Sequence, residues 1–165
     1  MIRKLLILAA AAVVLPACTT TYVANEYPLS DGRIADFDLN GDVSVHNAYD
    51  EARPVSFDGV DADLQQITET FARQLEQEIV KNGRQQGGTE DKEFHVRATE
   101  MRMANRVAYL EGRIHVQLEL GNGEIVSYER RNGSPADPSR VLNGTIARAV
   151  EEALAHPTVL DYLAE

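Results

Sequence analysis

The sequence has 165 residues, of which 44% are hydrophobic and 25% are charged, as in an ordinary globular protein. It carries 16 Lys and Arg residues against 26 Asp and Glu residues, a formal net charge of -10. This balance argues against a nucleic-acid-binding protein, which needs a basic surface to neutralise phosphates. The single cysteine excludes an intramolecular disulfide.

The N-terminus has the parts of a secretory signal peptide. Arg3 and Lys4 precede an apolar run from Leu5 to Leu15, which is shorter than the roughly 20 residues that a membrane-spanning helix needs. The run ends in Leu15-Pro16-Ala17-Cys18. These four residues resemble the bacterial lipobox, where a diacylglycerol is attached to the cysteine and the chain is cut before it. The alternative is an ordinary signal peptide cut after Ala17, with Cys18 as a free thiol.

We therefore predict a lipoprotein signal peptide over residues 1–17 and lipidation of Cys18. Two or more acyl chains hold a protein stably at a bilayer. Without residues 1–17 the chain keeps 14 basic and 26 acidic residues, so its net charge is -12 and an anionic bilayer repels it. The lipid would then provide the anchor. Thr19 is not the aspartate of the enterobacterial inner-membrane retention pattern, so the resemblance implies the outer membrane, facing the periplasm.

Residues 18–34 are predicted to form the lipidated N-terminus and a flexible tether, because they are polar, interrupted by Pro and Gly, and without periodicity. A single domain is predicted over residues 35–165. It begins with a strand over residues 42–47, where apolar and polar residues alternate. A helix follows over residues 63–82. Its apolar stripe comprises Leu64, Ile67, Phe71, Leu75 and Ile79.

Three more strands and a helix are predicted in the second half. Residues 94–98 alternate, and the alternation shifts before Met101, which predicts a bulge near Thr99 or Glu100. The longest strand is predicted over residues 110–120. The remaining elements are a turn at Gly121-Asn122-Gly123, a strand over 124–130, a loop over 132–139 and a helix that buries Leu142, Ile146, Ala149, Val150, Ala153 and Leu154.

This order predicts an α+β fold, a two-layer sandwich in which an antiparallel sheet of about four strands (β-α-β-β-β-α) carries the helices on one face. The chain resembles the YajG-like family of bacterial envelope lipoproteins. The resemblance rests on the lipobox, the first strand DVSVHNAYDEARP, the helix ending QEIVKNG, the strands from FHVRA to YERRNG, and the closing pattern IARAVEEAL…TVLDYLAE. It implies a small envelope lipoprotein and supplies no catalytic residue.

Two patterns raise the question of a metal. The run from Asp36 to Ser44 matches the start of an EF-hand calcium loop, but Asn47 takes the place of the bidentate glutamate. A turn that enters a strand is the favoured interpretation, and calcium remains the alternative. His95 and His115 are predicted on the outward face of neighbouring strands, where imidazoles bind transition metals. Without an evident third ligand, solvated histidines are favoured, and we expect no metal or other cofactor.

Arginines are concentrated in the predicted strands of this acidic chain. Arginine suits bidentate contact with carboxylate or phosphate groups of a partner or lipid. The favoured interpretation is instead pairing across strands with Glu111, Glu119 and Glu129. The arginines are Arg97, Arg102, Arg106, Arg113, Arg130 and Arg131.

No motif of a nucleophile elbow, zinc protease, nucleotide-binding loop or redox dithiol occurs in the sequence, so we expect a protein that is not an enzyme. An enzyme stays open as a lesser possibility, because catalytic triads are spatial arrangements. The leading hypothesis is a membrane-anchored envelope lipoprotein that acts in the periplasm as a scaffold or interaction module for a protein partner, through its exposed sheet face or an edge strand. The alternative is an accessory subunit of an outer-membrane assembly or transport machine, such as a lipopolysaccharide-assembly-like or transporter auxiliary lipoprotein.

Overall fold

A computed structural model describes residues 20–165, which form nine strands and three helices. The predicted signal peptide and Cys18 lie outside the described residues. In chain order the strands are β1 (Thr20–Thr21), β2 (Phe37–Leu39), β3 (Val43–Asn47), β4 (Pro54–Phe57), β5 (Val60–Asp63), β6 (Gly83–Gln85), β7 (Lys92–Asn105), β8 (Leu110–Leu120) and β9 (Ile125–Ser134). The helices are α1 (Leu64–Asn82), α2 (Pro138–Ala153) and α3 (Pro157–Ala164).

The main sheet has four strands in the order β3-β7-β8-β9. Both α1 and α2 pack on one face of this sheet, so the predicted α+β architecture is confirmed. The β7-β8 and β8-β9 pairs are antiparallel, whereas β3 is parallel to β7. The prediction of a wholly antiparallel sheet is therefore wrong for the first strand. The connection from β3 to β7 crosses over through α1, and such a crossover returns the chain in the same direction.

The core lies between the main sheet and the two long helices. The inner side chains of β7 and β8, including Phe94, Val96, Ile114 and Leu118, are fully buried. The predicted stripe of α1 meets them and is likewise buried. The helix begins where its stripe begins, because the Asp63 carboxylate accepts the backbone N–H of Gln65 at 2.8 Å and so satisfies one free donor of the first turn.

Several local predictions are confirmed and others are wrong. The register shifts between Ala98 and Glu100, which confirms the predicted bulge. The turn after β8 is confirmed, and Gly123 takes a φ of +87° there. The longest strand is β7, with 14 residues, rather than the 11-residue β8, because pairing with β8 continues beyond the bulge to Asn105.

Residues 20–34 contact the domain, so the predicted flexible tether is wrong for this segment. Tyr22 is 3% exposed and Ile34 is 6% exposed. The Tyr22 hydroxyl donates to Asn143 Oδ1 of α2 at 2.6 Å, and the Gln74 side chain of α1 donates to the Tyr27 carbonyl at 2.7 Å. The apolar residues of this segment are too sparse to form a periodic pattern, yet Tyr22 and Ile34 join the core and Leu29 packs against it.

Candidate interaction surface

The face of the main sheet opposite the helices carries mostly polar and charged side chains, and we call it the outer face. Alternation along each strand turns one set of residues toward the helices and the other set outward. No helix of residues 20–165 packs on the outer face. Its polar and charged residues include His46, His95, Arg97, Glu100, Arg102, Glu111, Arg113, His115, Gln117, Glu119, Ser127, Glu129 and Arg131.

A row of arginines crosses three strands of the outer face. Arg102 lies opposite Arg113, and Arg113 lies opposite Arg131. Like charges directly opposite one another repel. Acidic side chains in the neighbouring rows offset this repulsion: Glu129 lies 2.9 Å from Arg131 and 3.6 Å from Arg113, and Glu100 pairs with Arg102.

The predicted pairing across strands is confirmed for Glu129, which lies 3.6 Å from Arg113 of β8. Glu111 pairs instead with Arg106, in the turn before β8, and with Arg113 of its own strand. Glu111 accepts from Arg106 at 2.8 Å, and this hydrogen bond holds the pKa of its carboxyl below the usual range. Glu119, by contrast, makes no ion pair among residues 20–165, so its predicted role is wrong. It lies opposite His95, three rows along the sheet from the row of Arg102, Arg113 and Arg131. Arg130 points to the inner side, where it pairs with Glu152 of α2.

The structure does not bring His95 and His115 together. His115 lies opposite Glu100, five positions beyond His95 along β7, a separation of roughly 15 Å at strand spacing. Its Nδ1 lies 2.6 Å from the Thr99 hydroxyl. His95 instead neighbours His46, with ring centroids 5.2 Å apart, because the two residues are register partners of the parallel pair. Within residues 20–165 no group of three or more His, Cys, Asp and Glu side chains is placed to hold a metal ion.

The calcium-like run forms strand β2 and the turn into β3. Asp36 accepts from Arg84 at 2.6 Å and Asp38 accepts from Gln86 at 2.9 Å, so both carboxylates are engaged with residues of, or next to, the neighbouring strand β6. Gly41 takes a φ of +110°, and a Cβ there would lie 1.8 Å from the Glu90 carbonyl oxygen. A glycine is therefore required by the backbone of the turn itself, in agreement with the interpretation of this run as a turn that enters a strand.

Strand β9 forms an edge of the main sheet. It has ten residues and, within the described part of the chain, one strand neighbour, β8. The Leu120 N–H bonds to the Glu124 carbonyl at the turn. Along an antiparallel pair, positions that bond to the partner strand alternate with positions that do not, so the even-numbered residues of β9 bond to β8. The backbone groups of the odd-numbered residues, 125 to 133, therefore face the open side. An edge of this kind is a template for pairing with another strand.

A scan against protein-family models and a search of the curated proteins found no match to this chain. Across residues 20–165, none of the helices combines the length and the apolar character needed to cross a bilayer. The resemblance to the YajG-like family and the lipidation of Cys18 thus stay predictions from the sequence.

Proposed function

We propose that this protein is a lipid-anchored lipoprotein of the bacterial envelope, without enzymatic activity, that serves as an interaction module in the periplasm at the outer membrane. The anchor is proposed from the run Leu15-Pro16-Ala17-Cys18 at the end of a short apolar segment. The chain has one cysteine, and it stands where this modification requires it. An acidic body has no electrostatic attraction to an anionic bilayer, so acyl chains would hold it there.

The open edge of β9 carries the proposal of an interaction module. Five alternate residues of this strand present backbone donors and acceptors that no strand of the described chain takes up. We assign to this edge a protein partner that adds an extended segment to the sheet, the mode of recognition called β-augmentation. Backbone hydrogen bonds would supply affinity, while Glu129 and Arg131, on the outer face next to the edge, favour a partner strand with charges of both signs.

Site-specific photo-crosslinking in intact cells tests this interaction. A photoreactive amino acid at Ser127, on β9, is expected to capture one envelope protein. The same amino acid at Gln77, on the exposed side of α1, is the matched control and is expected not to capture it. Capture from Gln77 and not from Ser127 would contradict an interface at β9. If the captured protein belongs to an outer-membrane assembly or transport machine, the accessory-subunit function takes the place of the general scaffold.

A Cys18→Ser variant tests the anchor separately. The wild-type protein is expected in the membrane fraction and the variant in the soluble periplasmic fraction, because the variant lacks the thiol that receives the lipid. Thr19→Ser, a conservative change at the next residue, is the control and is expected to stay with the membrane. Equal membrane association of both variants would contradict the proposed anchor.

A further inference from the structure

An open cavity of about 600 Å³ lies between the N-terminal segment, the end of β9 and α2. Arg33, Arg140 and Arg148 line it, with Glu151 as its one acidic residue. A smaller cavity of about 250 Å³ adjoins it and shares Arg148 and Glu151 with it, while Arg130 and Arg131 complete its wall. We call the two together the arginine cavity.

The arginine cavity has the opposite charge to the rest of the chain. Its lining holds five of the 16 Lys and Arg residues and one of the 26 Asp and Glu residues. Glu129 and Glu152 pair with Arg131 and Arg130, which leaves a formal excess of two positive charges. A positive concave site in a chain of net charge -10 attracts anions selectively, because walls of low dielectric focus its field.

Glu151 orients two of the guanidinium groups. Its side chain is 17% exposed and accepts from Arg33 Nε at 2.9 Å and from Arg148 at 2.6 Å. One carboxylate therefore holds two cations in place and neutralises one of the two charges. The guanidinium group of Arg140 makes no ion pair within residues 20–165, so its donors are available to a ligand.

The geometry points to a phosphate-binding site, and we propose that the arginine cavity binds a phosphate group through Arg140, with Arg33 and Arg148 as further donors. Planar guanidinium groups match phosphate oxygens with paired hydrogen bonds. The volume lies in the range of small-molecule sites, and Tyr27 and Leu29 supply an apolar wall for the body of the ligand. The phosphate belongs either to a soluble small molecule or to a lipid headgroup. This site adjoins the end of the β9 edge, with which it shares Arg131 and Gly133, and it does not depend on lipidation of Cys18.

Calorimetric titration of the mature chain bearing Cys18→Ser with inorganic pyrophosphate tests the site directly. Saturable binding is expected, and Arg140→Gln is expected to weaken it about tenfold, the loss that follows when a charge-assisted hydrogen-bonded contact disappears. Arg102→Gln is the matched control, because it removes one positive charge from the outer face and leaves the cavity intact. Arg140 has no ion pair to break within residues 20–165, and the pair of Arg102 with Glu100 is exposed and contributes little, so both variants should unfold close to the temperature of the parent.

Vesicle sedimentation then separates the two sources of phosphate. Binding to phosphatidylglycerol vesicles that Arg140→Gln abolishes and Arg102→Gln retains would assign a lipid headgroup. Pyrophosphate binding without vesicle binding would assign a soluble phosphate compound. The proposal is overturned if pyrophosphate gives no saturable heat at millimolar concentration, or if the two arginine variants weaken its binding equally.

Discussion

Replacement of Tyr22 by phenylalanine tests whether the N-terminal segment is docked on the domain. The Tyr22 side chain is buried, and burial raises the pKa of its phenol. The substitution deletes one donor, yet Asn143 Oδ1 still accepts from the backbone N–H of Asn25 at 3.1 Å. The expected cost is therefore that of one lost neutral hydrogen bond, about 1 kcal/mol in the free energy of unfolding, and not that of an orphaned acceptor. In a domain of this size such a loss lowers Tm by about 4 °C.

Urea unfolding followed by circular dichroism, on the mature chain with Cys18→Ser, measures this cost. Tyr27→Phe is the control, because Tyr27 lies in the same segment, is 37% exposed, and its hydroxyl makes no hydrogen bond to residues 20–165. It is expected to leave the midpoint unchanged. The reasoning is refuted if the two variants unfold at the same urea concentration, since a free tether would give that result.

Two further predictions concern packing and charge. Gly112→Ala should lower the free energy of unfolding by about 1–3 kcal/mol, because a Cβ there would lie 2.2 Å from Thr145 Oγ1. Thr145→Ala in the same chain should restore most of the lost stability. An unchanged urea midpoint for Gly112→Ala alone would contradict the contact between β8 and α2. An NMR titration should place the pKa of Glu111 below that of an ordinary glutamate and, in Arg106→Gln, closer to it. Because the pKa of Glu111 is lowered in the folded state, the contribution of this pair to stability is present at neutral pH and disappears as the pH falls through that pKa. Identical Glu111 titrations in the parent and in Arg106→Gln would rule out the hydrogen bond.

Local sequence pattern was enough to predict an element correctly where the cap and the apolar stripe of that element are both readable from its own residues. The helix predicted over residues 63–82 spans Leu64–Asn82, since a capping aspartate and an apolar stripe both lie within it. The β4-β5 hairpin carries a sequence signal in its turn. Asp58 and Gly59, between its strands, both take positive φ, as a tight hairpin turn requires, and the dipeptide Asp-Gly favours that turn. Its strands are too short for alternation alone to identify them.

Contacts between segments that are distant in the sequence could not be predicted from local pattern. The neighbourhood of His46 and His95 depends on β3 being parallel to β7, and alternation within each strand carries no information on strand order. The arginine cavity likewise joins Arg33 to Arg148, residues that are far apart in the chain and separated by most of the domain. Alternation did predict that the outer face would be polar, so the pairing of Glu129 with an arginine of the neighbouring strand could be predicted. The cavity could not, because it depends on how distant segments pack.

Intact-mass spectrometry of the protein purified from membranes tests the central claim, that acyl chains on Cys18 hold an acidic body at the envelope. The proposal predicts a chain that begins at Cys18 and carries the added mass of a diacylglycerol and further fatty acyl groups. A chain with an unmodified Cys18, or native protein recovered entirely from the soluble periplasmic extract, would contradict it.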